Sequence, residues 1–231
     1  MLGRWNAMFN KRYFSERTYR AYRLGLKRAV QHLYYSILCA ASRQTSIDLL
    51  NGKGEKALDI GCAFGYVVEL LCRLRYDVAG LDISTYAARI AHEASASTEP
   101  IIADARLLPF RRNTFSLITC FEVLEHISDP ELLVEEIGAS LKERGVCVLT
   151  TPVEGQVQGL YDLVRCEKTH VSLLKQKEAH TLMSQYVGET LISPYLMLPI
   201  PPEIFNRYFL LQHSPTLISS GMMITSVKKG S

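Results

Sequence analysis

Between residues 56 and 151 one rhythm recurs: a short apolar run closes on an acidic residue, a glycine or a proline. The runs are Lys56–Ile60 before Gly61, Tyr76–Leu81 before Asp82, Pro100–Ala103 before Asp104, Phe115–Phe121 before Glu122, and Val146–Thr151 before Pro152. Runs this short, bounded by such residues, read as strands. Helical spacing lies between them. Val67, Leu70, Leu71 and Leu74 share one helix face, and Ala87, Ile90, Ala91 and Ala94 share another behind Ser84 as N-cap. Asp129 and Pro130 predict an N-cap and first position for a helix over 130–144, stopped by Gly145, with Lys142 and Arg144 at its negative end. Strands alternating with helices imply right-handed crossovers and a parallel sheet covered on both faces.

The flanks are less regular. Tyr22, Leu26, Val30, Leu33 and Ile37 predict an amphipathic helix within residues 17–50, ending near Asn51-Gly52. Beyond Pro152 the reading is a loop over 153–170, a helix over 175–187, a strand over 190–197, a helix over 203–212 and a last strand, Met222–Lys228. The domain reading is a helical lid over residues 1–52 and a catalytic domain over 53–231.

Composition narrows the class. A 231-residue chain that is 48% hydrophobic can bury a substantial single-domain core, which excludes disordered and fibrous classes. No run of about 18 apolar residues occurs, and the N-terminus lacks a secretory pattern, so the expectation is a cytoplasmic protein. The cysteines at 39, 62, 72, 120, 147 and 166 never form Cys-x-x-Cys and read as reduced packing residues. Charge is uneven: residues 1–43 carry nine Lys/Arg against Glu16 alone, a net +8, and the remainder is net −5.

Ligands of open parallel sheets bind at the carboxyl ends of the strands, where the notable residues fall. Gly61 and Gly65 in Asp59-Ile-Gly-Cys-Ala-Phe-Gly65 permit a tight turn into a helix N-terminus. Asp82 can accept from both hydroxyls of a ribose, and Asp104 from an exocyclic adenine amine. The turn lacks the Gly-x-Gly-x-x-Gly spacing that seats a pyrophosphate, and Asp59 beside it repels phosphates but favours a cation. A nicotinamide dinucleotide is therefore disfavoured. S-adenosylmethionine, with its ammonium and sulfonium, fits. Singly, each acid is also an ordinary cap or turn residue; their joint placement at successive strand ends favours a ligand site.

Leu58-Asp-Ile-Gly-Cys-Ala-Phe-Gly65, Gly80-Leu-Asp-Ile-Ser84, Ala103-Asp-Ala-Arg-Leu-Leu-Pro-Phe110 and Cys120-Phe-Glu-Val-Leu-Glu-His-Ile-Ser-Asp-Pro130 follow in order. They resemble the successive motifs of class I (Rossmann-like) S-adenosylmethionine-dependent methyltransferases, nearest in type to the ubiquinone/menaquinone biosynthesis enzymes. The resemblance is strong over about residues 55–152 and weak beyond. It implies an α/β fold with a doubly wound, mostly parallel seven-stranded sheet, helices on both faces, a C-terminal antiparallel hairpin and an N-terminal helical lid. By the same resemblance Asp59 and Gly61 hold the methionine end, lined by Cys62 and Ala63, and Gly65 opens the helix. Asp82 takes the ribose, Ile83 packs on adenine, Asp104 and Ala105 meet its edge, and Cys120 sits beside the cofactor. Ala63 stands where the family often has glycine, which is tolerable if its φ is negative.

On the acceptor side stand Glu122, Glu125 and His126. His126 is the natural general base, because imidazole titrates near neutrality. The bland alternative is that Glu125 and His126 merely fix the loop before the next helix. Some relatives use this Glu-x-x-Glu-His string to hold a divalent metal, and His170 can add a ligand; a metal-free site is the favoured reading, tested by EDTA. The basic, aromatic N-terminal segment reads as a lid in preference to an RNA or membrane contact. The expectation is methyl transfer to oxygen, nitrogen or activated carbon of a small molecule by a monomer or homodimer. The rivals are a cofactor-binding module without activity and an RNA- or lipid-directed enzyme.

Overall fold

The computed structural model describes residues 7–15, 27–94, 99–152, 169–199, 208–212 and 221–230. The N-terminal part contains α1 (Lys11–Ser15) and α2 (Lys27–Thr45). Strands β1 (Lys56–Ile60), β2 (Asp77–Asp82), β3 (Ile101–Ile102), β4 (Phe115–Phe121) and β5 (Leu141–Thr151) alternate with α3 (Tyr66–Arg73), α4 (Thr85–Ala94) and α5 (Pro130–Ser140). Helix α6 (Gln176–Tyr186) precedes β6 (Gly188–Pro199), β7 (Tyr208–Gln212) and β8 (Gly221–Lys228).

The sheet runs β3-β2-β1-β4-β5-β8-β6-β7. Its first five strands are parallel, and β8 is antiparallel to both β5 and β6. This is the expected seven-stranded arrangement with its antiparallel hairpin, extended by β7 on the outer edge of β6. Order reverses between β1 and β4, so the crevice of a doubly wound sheet opens beyond Ile60 and Phe121.

Side-chain alternation builds two cores. Ile118 and Cys120 of β4 face Leu133, Val134 and Ile137 of α5 and Met183 of α6. Leu117 and Phe121 face the layer that holds Ile37 and Leu38 of α2 and Leu71 of α3. Within the expected 17–50 helix, Val30, Leu33 and Ile37 are buried; Tyr22 and Leu26 lie outside the described residues.

Three local expectations are corrected. The helix after Asp129 ends at Ser140, not 144, because the chain enters β5 at Leu141, opposite Phe115. Gly145 is a close-approach residue of that strand: a Cβ there would lie 3.0 Å from the Phe115 carbonyl oxygen. Asp129 is the N-cap residue of α5 and Pro130 follows it as expected, but its carboxylate bonds no helix amide and accepts from Arg106 and Ser128 instead. The helix read over 203–212 is strand β7 over 208–212, where backbone pairing with β6 overrides an ambiguous apolar run. Ser84 does cap α4, its Oγ accepting from the Ala87 amide at 3.1 Å.

Candidate active site

The turn after β1 is built around Asp82. Its Oδ2 accepts from the Ala63 amide and its Oδ1 from the Ser84 amide, each at 2.8 Å. Burial raises the Asp82 pKa, opposed by the amides of Ser84, Ala63 and Ile83. Ala63 has φ +44°, against the negative value expected, so the turn holds an alanine in left-handed backbone. Its charge-assisted bond to Asp82 offsets that strain. Gly61 is also left-handed, at φ +73°, and a Cβ there would lie 2.3 Å from Val123 Cγ2. A bare backbone is what lets the β1 turn and the loop after β4 meet.

Asp59 lies one strand pleat deeper and is 2% exposed. Thr119 Oγ1 donates to its Oδ1 at 2.7 Å. Burial pushes its pKa up to about 7; the Thr119 bond opposes the shift and the Asp82 charge adds to it. Two buried carboxylates this close to one crevice are costly without a cation, which is the environment that a sulfonium and an ammonium suit.

Asp104 at the end of β3 is clamped by Arg106. Arg106 Nη2 donates to Oδ2 at 2.8 Å and Nε to Oδ1 at 3.1 Å, holding the Asp104 carboxyl below the usual carboxylate range. The Arg106 amide also donates to Oδ1 at 3.0 Å.

One cavity joins these groups to the acceptor-side residues. Its walls include Gly61, Asp82, Ile83, Asp104 and Ala105 from the first three strand ends, and Glu122 and His126 from the fourth. Asp59, Cys62, Ala63, Gly65, Cys120 and Glu125 do not line it. Cys120 is wholly buried in the core under α5, in place of the expected cofactor contact; burial pushes its thiol pKa up. Phe121, one residue on, is the β4 side chain that reaches the cavity.

The roof comes from the N-terminal segment. Phe9, Tyr13 and Phe14 line the cavity, with Phe9 edge-on to His126 at 5.5 Å between ring centroids. Phe14 packs on Phe64 of the β1 turn and Tyr86 of α4, and Ser84 Oγ donates to the Phe9 carbonyl at 2.5 Å. Helix α2 lies elsewhere, on the sheet face, where Tyr34 stacks on Phe121 at 4.6 Å.

Glu122, Glu125 and His126 part company. Glu122 has φ +55°, and its Oε1 accepts from the Tyr195 hydroxyl of β6 at 3.1 Å. Glu125 is 1% exposed; its Oε2 accepts from Thr151 and its carbonyl from the amides of Val171 and Ser172. It therefore fixes the loop after residue 169. His126 Nδ1 lies 3.1 Å from the Thr169 carbonyl, so Nδ1 carries the proton and Nε2 a lone pair. Burial depresses its pKa to about 4, the Thr169 bond opposing and His170 adding to the shift. Among the described residues, Glu125, His126 and His170 place ligand atoms within 4.8 Å of one another. Glu122, engaged by Tyr195, is not in that set, so the Glu-x-x-Glu-His string does not converge as one ligand group. The sequence carries no signal for Thr119, Tyr195 or Thr169, which reach the site from other strands and loops.

A 3-2-1-4-5 parallel order continued by antiparallel strands, with acids at successive strand ends around one cavity, is a doubly wound, Rossmann-like fold with a ligand site at the carboxyl edge of its sheet. Residues 58–149 match the family model described as a methyltransferase domain. Over 121 residues it is 33% identical to the ubiquinone biosynthesis O-methyltransferase of Psychrobacter arcticus, covering 49% of this chain and 47% of that protein. Over 104 residues it is 35% identical to the enzyme of that name from Cupriavidus pinatubonensis, covering 42% and 41%. The chain thus matches just under half the length of these relatives. Its fold is similar to a methyltransferase structure from Thermotoga maritima, described as a possible histamine N-methyltransferase (TM-score 0.66, 20% identity, covering 91% of this chain and 94% of that one). It is also similar to one from Archaeoglobus fulgidus (TM-score 0.66, 14% identity, covering 92% and 100%). Among the described residues no helix is long and apolar enough to cross a membrane.

Proposed function

We propose that this protein transfers the methyl group of S-adenosylmethionine to a small-molecule acceptor, with a hydroxyl as the leading acceptor group and nitrogen or activated carbon as the alternatives. The observation that carries the reading is the single cavity in which Asp82 and Asp104 share walls with Glu122 and His126. Adenosyl recognition and acceptor chemistry then lie within one small-molecule site. The hydroxyl rests on the relatives, which are described as ubiquinone biosynthesis O-methyltransferases.

The cofactor, when bound, supplies an electrophilic methyl carbon on a sulfonium. The residues present suit it. Asp82 presents its carboxylate at the cavity wall, where ribose hydroxyls can donate to it beside the backbone amides that hold it. Ile83 and Ala105 offer apolar contact to a base, and Asp104 an acceptor for its amine. The Gly61 backbone forms part of the wall, and Asp82, with Asp59 buried behind it, favours a cation there.

The chain's own residues then align the acceptor and exclude water. His126 presents Nε2 as a hydrogen-bond acceptor, which orients a hydroxyl toward the methyl carbon. With a pKa near 4 it is a weak base, so its contribution is orientation and partial proton acceptance. Glu122, fixed by Tyr195, provides a second polar contact. Phe9, Tyr13 and Phe14 supply an aromatic roof to the cavity.

Isothermal titration tests the reading. Wild-type protein is expected to bind S-adenosylmethionine below millimolar concentration, and Asp82→Ala to bind it at least about tenfold more weakly. Methyl-labelled cofactor incubated with cell extract is expected to mark a low-molecular-weight fraction. No binding, or label confined to macromolecules, overturns the proposal.

A further inference from the structure

Arg106 stands two residues beyond Asp104 and bridges two parts of the site. Besides its clamp on Asp104, its Nη1 donates to Asp129 Oδ2 at 3.2 Å, at the start of α5. Asp129 itself is steadied by Ser128 Oγ at 2.8 Å. Arg106 is only 17% exposed and Asp104 23%, so the pair is shielded from solvent on most sides. Three donors from one residue fix the carboxylate plane: Oδ1 accepts from the backbone amide and from Nε, and Oδ2 accepts from Nη2. A carboxylate oxygen accepts two bonds, so Oδ2 retains one lone pair for a donor from the cavity that Asp104 lines.

The geometry points to Arg106 as a positioning residue that makes Asp104 a rigid acceptor and so sets the site's preference for an amino over an oxo group on the purine. This rests on the reading of the cavity as an adenosyl site. A carboxylate locked in plane and kept ionised accepts from a 6-amine but faces the lone pairs of a 6-oxo group. Without the guanidinium the side chain is free to turn away, and the penalty against the oxo group relaxes.

The experiment is calorimetric titration of the full chain with S-adenosylhomocysteine and with S-inosylhomocysteine, in which a 6-oxo group and an N1–H replace the 6-amine and the bare N1. Wild type is expected to prefer the adenosyl compound by about tenfold or more, the usual consequence of an unmatched buried polar pair. Arg106→Gln is expected to bring the two affinities within about threefold, and Arg106→Lys, which keeps a charge but not the fork, to fall between. The Lys variant and the wild-type preference carry the test if Arg106→Gln fails to fold. A purely structural role would weaken both ligands equally and leave their ratio unchanged. An unchanged ratio in both variants, or no preference in wild type, overturns the inference while leaving the adenosyl site standing. Failure of wild type to bind either compound overturns the adenosyl site itself.

Discussion

The Tyr195 hydroxyl donates to Glu122 Oε1 across 3.1 Å, so a strand of the antiparallel hairpin holds a carboxylate of the loop that follows the central parallel strand. The tyrosine is buried, and it sits opposite Gly221, where a Cβ would lie 2.9 Å from the hydroxyl oxygen. Burial, and then the Glu122 charge, raise its pKa, so it remains a donor throughout the physiological range. Tyr195→Phe keeps the ring and removes only this bond. Urea unfolding is expected to show a loss of about 1–3 kcal/mol, the range for a buried bond to a charged acceptor. An unchanged midpoint would deny the bond any energetic role.

Asp59 makes stability depend on pH in a defined direction. Its pKa lies near 7 in the folded chain against 3.8 in the unfolded one, so between those values the folded state binds more protons. Stability from this group is therefore complete below about pH 4 and is lost as pH rises through 7. The loss between pH 5 and 8 is on the order of 2–3 kcal/mol. Asp59→Asn is expected to flatten that slope and to weaken S-adenosylmethionine, since the amide no longer offers charge to a cation. Unfolding at the two pH values reads the first effect and titration the second; a variant with the wild-type slope would refute the assignment.

Ala63, at φ +44°, gives a test of backbone strain. Ala63→Gly relieves the left-handed penalty of about 1–2 kcal/mol at an entropic cost of about 0.4–1 kcal/mol, so a net gain of up to about 1.6 kcal/mol is expected. Ala63→Val, β-branched in the same conformation, is expected to destabilise the turn and with it the ribose-facing carboxylate. Thermal unfolding of both variants checks the order Gly, Ala, Val.

His126 is neutral above about pH 4. Turnover, once an acceptor is identified by labelling, is accordingly expected to show no acidic limb from imidazole near pH 6.5. His126→Asn is expected to lower kcat by about tenfold or more while leaving cofactor affinity unchanged. A parallel loss of cofactor affinity would make His126 part of the donor site instead.

Chelation separates the two uses of Glu125, His126 and His170. Glu122, engaged by Tyr195, stands outside the cluster and leaves three ligand atoms rather than the whole Glu-x-x-Glu-His string, so activity is expected to survive EDTA. A loss restored by a divalent ion would reassign the three as ligands.

The sequence by itself determined the central sheet and the positions of its acidic strand ends. Period-two and period-3.6 patterns report which face is buried, and Asp82, Asp104 and Glu122 lie at or within two residues of a strand end. The Ser84 cap was equally legible, because it is a contact within a few residues. Local signals stopped where longer-range competition began. Asp129 has the local form of a cap but is claimed by Arg106, and residues 208–212 look helical until β6 offers them an edge to pair with. Only the tertiary structure decided that Glu122 and Glu125, three residues apart in one string, serve different partners. A left-handed backbone at Glu122 turns one carboxylate toward Tyr195, while the other is buried against Thr151. Such pairings join residues many positions apart, and they depend on packing across strands that no short-range pattern encodes.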